Sequence, residues 1–307
     1  MRFFRVFLFL LLTAPFQIGA APAADSTSPP VPLLWKASNG ARAVYLLGSF
    51  HMLKPDDYPL ADAVDAAFDD SGTVLFELPP EDLDPSALAV AMYGEALYGA
   101  DESLRDDVSP QLWQRLRTHV SSNRSSFPLP VLERFKPWMV AMMINIDEIQ
   151  RRGMASERGL DNYFINEAKA AGKTVGGLET MREQIDVLAR MTKAEQRQML
   201  SEALDVADGS DEVEHLHDLW RRGEADALWS EMSESMRRDY PDLYQRINVD
   251  RNRAWLPQIE HRLREGENNT LVVVGAMHLV GEDGLVTMLR GRGYLVGRIC
   301  SECGRGD

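Results

Sequence analysis

The chain has 307 residues, 45% hydrophobic and 26% charged, with 47 acidic against 33 basic side chains and a formal charge of −14. A surface that acidic excludes nucleic acid as a partner, because phosphate binding needs clustered Lys and Arg. The length suits one large α/β core or two smaller ones, and two cysteines are too few for a disulfide-built scaffold.

The chain opens on Met1-Arg2-Phe3-Phe4-Arg5, a basic start, followed by an apolar run from Val6 to Leu12 and the small-residue site Ala21-Pro22-Ala23. This pattern predicts a signal peptide over residues 1–23 and a periplasmic or secreted protein. The run is too short to span a bilayer, and no Cys follows the cleavage site, so no stable membrane anchor is expected after cleavage. Cleavage removes Arg2 and Arg5 and no acid, which takes the formal charge to −16. Residues 24–32, rich in Pro, Ser and Ala, read as a disordered leader.

Leu33-Leu34-Trp35-Lys36-Ala37 and Arg42-Ala43-Val44-Tyr45-Leu46-Leu47 flank Ser38-Asn39-Gly40, a β-hairpin signal. Leu60 to Asp70 has apolar residues at helical spacing. Thr73-Val74-Leu75-Phe76-Glu77-Leu78 is then a strand stopped by Pro79-Pro80. From about 86 to 266 the chain is mostly helical, with helices predicted after Ser109-Pro110, from Pro137 to Arg152 and from Gly159 to Ala170. A short strand precedes Glu179. Long amphipathic stretches follow, from Met181 to about Val206 and from Glu212 to Glu265, the latter interrupted at Pro241 and Pro257. Strand Leu271–Val274, a short helix from Gly284 to Arg290 and strand Gly293–Ile299 close the chain. The predicted class is therefore α/β. A mixed central sheet built from both ends of the chain carries a large helical insert, in a single domain over residues 33–300 with a tail at 301–307. Cys300-Ser301-Glu302-Cys303 is too near the C-terminus to start a thioredoxin-like helix, and reads as a local disulfide or an idle thiol pair.

One pattern occurs twice. Val44-Tyr45-Leu46-Leu47-Gly48-Ser49-Phe50-His51 is matched by Leu271-Val272-Val273-Val274-Gly275-Ala276-Met277-His278, each a buried-strand run followed by Gly-x-x-His. Glycine at the strand end permits a sharp turn and close approach. The imidazole then lies at the carboxyl edge of the sheet, where open α/β folds place their ligands. Glu77 ends the strand one helical crossover later, and a right-handed crossover puts it at the same edge. Two His and one Glu suit a divalent cation with an open position for water, whether zinc, manganese, cobalt or iron. Without a metal, His and Glu still suffice for general acid–base hydrolysis. His215-Leu216-His217 sits on a predicted helix with its rings facing different ways. Met139, Met142 and Met143 read as core filling. No His-Glu-x-x-His helix, Gly-x-Ser-x-Gly elbow or P-loop is present.

The two Gly-x-x-His motifs, Glu77 within Leu75-Phe76-Glu77-Leu78, Gly177-Leu178-Glu179-Thr180, and Arg251-Asn252 ahead of Trp255 together resemble the TraB/GumN family, which includes the TIKI metalloproteases. The resemblance runs from Leu33 to Ile299. It implies a metal site at His51, His278 and Glu77, a cation of the manganese or cobalt type, and hydrolysis of a peptide or protein substrate. Similar proteins are also grouped with erythromycin-esterase-like and haem- or iron-binding ChaN-like folds. A metal-independent esterase and a non-catalytic binder of haem, iron or an envelope ligand are therefore the alternatives. Glu179 is expected to orient a histidine or add a second carboxylate, its other reading being a cap for the helix from Met181. Arg251 is expected to hold a substrate carboxylate or an oxyanion, its other reading being a structural ion pair. Gly159-Leu160-Asp161 also resembles a family motif, although Asp161 equally suits the positive end of its own helix.

Overall fold

The computed structural model describes residues 28–83, 85–122 and 124–300; the expected signal peptide, the start of the leader, Cys303 and the tail lie outside the described residues. Cys300 is disulfide-bonded. Among the described residues six strands form one mixed sheet: β1 (Leu34–Ser38), β2 (Ala43–Ser49), β3 (Thr73–Phe76), β4 (Thr174–Gly177), β5 (Thr270–Gly275) and β6 (Leu295–Arg298). Their spatial order is β4-β3-β5-β2-β1-β6. β4, β3, β5 and β2 run parallel, and β1 is antiparallel to both β2 and β6.

β2 and β5 are buried along their whole length. That is why both read as continuous apolar runs: a central parallel strand is covered on both faces. They are direct neighbours, with Gly48 opposite Val274 and Ser49 opposite Gly275. A Cβ on Gly48 would lie 3.0 Å from the Leu33 Cβ and 3.2 Å from the Ala276 Cα, so glycine there lets the two motif turns pack against each other. Phe76 pairs with Val273 and with Gly177, so all four parallel strands end at one edge.

The longer helices are α1 (Asp62–Asp69), α2 (Pro85–Ala96), α3 (Pro110–Ser121), α4 (Pro137–Arg151), α5 (Leu160–Ala170), α6 (Met181–Ala189), α7 (Lys193–Ala207), α8 (Glu212–Arg221), α9 (Asp250–Glu265) and α10 (Leu285–Gly291). The insert differs from the expectation in four places. It contributes β4 to the sheet. The stretch from Met181 is two helices, each started by a threonine whose hydroxyl accepts a backbone N–H while a Glu three residues on returns the bond. The stretch from Glu212 breaks before Pro241 as expected and also at Gly223, whose φ of +68° suits glycine, but Pro257 lies inside α9 without ending it. The end of the leader is held: Pro30 is buried, the Val31 N–H donates to the Arg221 carbonyl at 2.8 Å, and an Arg221 Nη2–H donates to the Ser28 carbonyl.

Two apolar cores result. One lies on both faces of the sheet and includes Leu46, Val272, Phe164 and Trp255. The other, within the helical layer, includes Leu116, Trp138, Met139, Met142 and Leu200. Met277, next to His278, belongs to the second core, so the loop after β5 ties the helical layer to the strand ends. Leu46 is fully buried in β2 between Trp35 and Val272. Leu46→Ala is expected to cost about 2–5 kcal/mol of stability, read from urea denaturation; a loss well below that would contradict the packing described.

Candidate active site at the strand ends

The site grows out of four strand ends and one helix. His51 follows β2, Glu77 follows β3, Glu179 follows β4 and His278 follows β5, while Arg251 and Asn252 stand on the first turn of α9. All five residues singled out from the sequence meet there. Glu77 Oε1 lies 3.8 Å from His51 Nε2 and 3.9 Å from His278 Nε2, and accepts the Gly275 N–H at 2.8 Å. Its other oxygen, Oε2, accepts from Arg251 Nη2 at 2.5 Å and from Gln184 Nε2 at 3.3 Å. One oxygen of the carboxylate thus faces the histidines and the other faces a cation.

Arg251 uses its whole donor set. Nε donates to both Glu179 oxygens at 2.9 and 3.1 Å, and Nη2 to Glu179 Oε1 at 2.6 Å as well as to Glu77. Nη1 donates to the Ile247 carbonyl at 3.3 Å and to His278 Nε2 at 3.0 Å. The side chain is buried, and its guanidinium lies 4.7 Å over the Trp255 ring. Ile247 belongs to a π-helical turn, Gln245–Val249, that leads into α9; such turns widen the helix and re-aim the residues after them. Burial alone would lower the Arg251 pKa, but the two carboxylates outweigh it and raise it. For Glu179, burial wins over Arg251 and the pKa is raised.

The two histidines differ in protonation because their partners differ. Arginine only donates, so His278 Nε2 must be the accepting nitrogen and Nδ1 the protonated one. Nδ1–H then donates to Asn252 Oδ1 at 2.8 Å. The Asn252 amide is fixed by its own two donations, to the His278 carbonyl at 3.2 Å and the Asp283 carbonyl at 2.8 Å. His278 is fully buried with the Trp255 ring tilted against it, centroids 4.5 Å apart. Burial and the Arg251 charge hold its pKa well below the ordinary imidazole value. His51 Nδ1 instead meets the Asp161 carboxylate at 2.7 Å, which also accepts from the Ser49 hydroxyl at 2.5 Å. Burial would lower the His51 pKa, but the charge and hydrogen bond of Asp161, helped by Glu77, raise it to about 9. Asp161 is lowered in turn: the His51 charge and hydrogen bonds overcome its burial. His51 Nε2 is buried and has no hydrogen-bond partner.

Asp161, Asn252, Ser49 and Gln184 complete the arrangement without having been singled out as site residues. Asp161 does lie in the first turn of α5, and its side chain also serves His51. Gly159 explains the proximity, since a Cβ there would collide with the His51 carbonyl. Glu179 does not cap α6, a role that Thr180 fills. His217 pairs with Asp57 in the interior, and His215 with Glu231 at the surface. Among the described residues no three acidic, His or Cys side chains are close enough to form a ready-made cation cage. At the strand ends one candidate nitrogen, His278 Nε2, meets Arg251 Nη1 instead.

Fold and site together define an α/β protein with a polar centre built on twinned strand–Gly-x-x-His turns. The chain belongs to the TraB/PrgY/gumN family, whose profile matches residues 33–298. It is 26% identical over 276 residues to the uncharacterized protein YbaP of Escherichia coli (strain K12), covering 88% of this chain and 92% of that one. YbaP of Shigella flexneri matches to the same extent. It is also 26% identical over 279 residues to metalloprotease TIKI1 of Danio rerio, covering 75% of this chain and 55% of the relative. No solved structure matches the chain.

The Asp161–His51 pair carries a pH dependence. The folded pKa lies above the ordinary imidazole value of 6.5, so the pair stabilises the fold fully below that pH and the contribution disappears as pH rises through about 9. In Asp161→Asn, cation-free, the His51 midpoint followed by imidazole proton NMR is expected to fall below 6.5. Burial, the largest influence, and Arg251 then outweigh the remaining help from Glu77. A midpoint left near 9 would rule out Asp161 as the cause.

Proposed function

We propose that this protein is an exported, metal-dependent hydrolase acting on peptide bonds, with its centre at His51, His278 and Glu77. The observation that carries the reading is the approach of two imidazole Nε2 atoms to one carboxylate oxygen, at 3.8 and 3.9 Å. The relation to a metalloprotease supports it from a separate direction. The donors fit a divalent cation chemically: two nitrogens and one oxygen, with His51 Nε2 buried and without a partner. His51 Nε2, His278 Nε2 and Glu77 Oε1 would hold it. A bound cation of this kind supplies a water of lowered pKa and a positive charge beside the bond to be cleaved.

The chain's own residues do the rest. Asp161 accepts the Nδ1–H of His51, which turns Nε2 inward, and Asn252 Oδ1 accepts the Nδ1–H of His278. Gly275 N–H and Arg251 Nη2 hold the two Glu77 oxygens apart in role. Glu179 anchors Arg251, and Trp255 closes the floor beneath His278 against water. Arg251 leaves a guanidinium charge beside the reacting position, suited to a developing oxyanion. Export is proposed from residues 1–23; among the described residues no helix is long and apolar enough to cross a membrane.

A second reading has its own support. The Asp161–His51 pair, with Nε2 facing Glu77, is an arrangement able to move a proton during metal-free ester hydrolysis.

Elemental analysis of the purified protein beside His51→Ala and His278→Ala tests the favoured reading. Stoichiometric divalent metal is expected in the wild type and its loss in both variants, with circular dichroism unchanged. Peptide hydrolysis that persists in excess chelator would sink the metal-dependent reading and favour the second. A Soret band would point to haem binding instead.

A further inference from the structure

The site holds a conflict over one lone pair. His278 Nε2 accepts the Arg251 Nη1–H at 3.0 Å, and an sp² nitrogen has a single in-plane lone pair, which cannot accept that bond and ligate a cation together. The ring has no alternative donor to offer. Its Nδ1 is committed to Asn252, whose own amide is pinned by two carbonyls. The ring is also fully buried against Trp255. The partner free to move is therefore Arg251.

Arg251 can make that move while staying anchored. Three of its contacts go to Glu179, at 2.6, 2.9 and 3.1 Å, along the edge formed by Nε and Nη2. Its bond to Glu77 uses Oε2, whereas the oxygen facing the two histidines is Oε1. A tilt of the fork about its Glu179 edge moves Nη1, giving up its bond to His278 and its longer one to the Ile247 carbonyl, and keeps the bonds made by Nε and Nη2.

We propose that Arg251 is an internal competitor for the third ligand of the cation site: its Nη1 holds His278 Nε2 in the cation-free protein and releases it when a divalent cation is bound, with Glu179 anchoring the side chain in both states. The inference rests on the cation site proposed above. It makes Arg251 a positioning residue that sets the apparent affinity, because each binding event must first give up a charged hydrogen bond. It also separates Arg251 from Lys. An ammonium keeps the charge beside Glu77 and Glu179, but it has no planar fork with which to reach His278 while holding a carboxylate edge-on.

Cobalt(II) alone is titrated into full-length wild type, Arg251→Lys and Arg251→Gln, read by visible d–d absorption and calorimetry, with near-ultraviolet circular dichroism as the check on folding. Both variants are expected to bind cobalt more tightly, Arg251→Lys by about tenfold, the worth of one hydrogen bond to a charged group. If Arg251→Gln alone tightens and Arg251→Lys matches the wild type, charge rather than occupation of the lone pair is responsible, and the proposal is overturned. Unchanged or weaker binding in Arg251→Lys overturns it as well, while wild-type cobalt binding keeps the site itself standing. If none of the three takes up cobalt, the cation site fails and this inference with it. A measurement on the wild type alone covers variants that do not fold. In uniformly 15N-labelled protein the Arg251 Nη1–H signal should shift or broaden on saturation with zinc. A signal that stays in place while zinc binds overturns the proposal.

Discussion

Two carboxylates and a guanidinium sit buried together where the parallel strands end, and most of the surrounding architecture follows from having to satisfy them. Glu77, Glu179 and Arg251 are all largely shielded from water. A buried charge is tolerated only when paired and hydrogen-bonded. The cluster meets that demand through the Gly275 N–H, the Gln184 amide and the Ile247 carbonyl in addition to the ion pairs. Those extra partners come from β5, α6 and the turn before α9. The cluster consequently ties the sheet to the helical layer at the point where chemistry would take place.

The paired histidines are alike in sequence and unlike in state. Both follow a glycine by three positions, yet one is backed by an aspartate and the other by an asparagine. A carboxylate behind an imidazole favours the imidazolium, while an amide oxygen only orients the ring. Arg251 reinforces the contrast, standing directly on His278 and contributing only a minor lowering effect at His51. The centre thus combines an imidazole that holds a proton with one whose Nε2 stays unprotonated. A symmetric pair would repel itself when both rings are charged.

Much of this was legible in the sequence, for definite reasons. The strands β2 and β5 announce themselves because central parallel strands must be apolar on both faces, and the Gly-x-x-His turn after each is a local signal. Glu77 stands out as a charge at the end of such a run. Asp161 and Asn252 are less visible because their role is defined by partners 110 and 26 positions away, and locally each is an ordinary polar residue on the first turn of a helix. Pro257 misleads for the opposite reason. Its local rule is strong, since proline removes one N–H and crowds the preceding turn, but α9 is held on both sides of it by the buried Trp255 and Ile259, and packing overrides the local preference.

The division of labour between the two halves of the fold has a consequence for how the site comes into being. The terminal segments supply His51, Glu77 and His278, the atoms that converge. Asp161, Glu179, Gln184, Arg251 and Asn252, which hold those atoms in place, all come from the insert between them. Neither set is complete without the other, because His51 without Asp161 and His278 without Asn252 lose the contacts that set their tautomers. Met277 enforces the same dependence through packing, since the residue beside His278 is buried in the core of the helical layer. The geometry of the centre is therefore a product of docking the helical layer onto the strand ends, with His278 held from that layer by Arg251 and Asn252 and through its neighbour Met277.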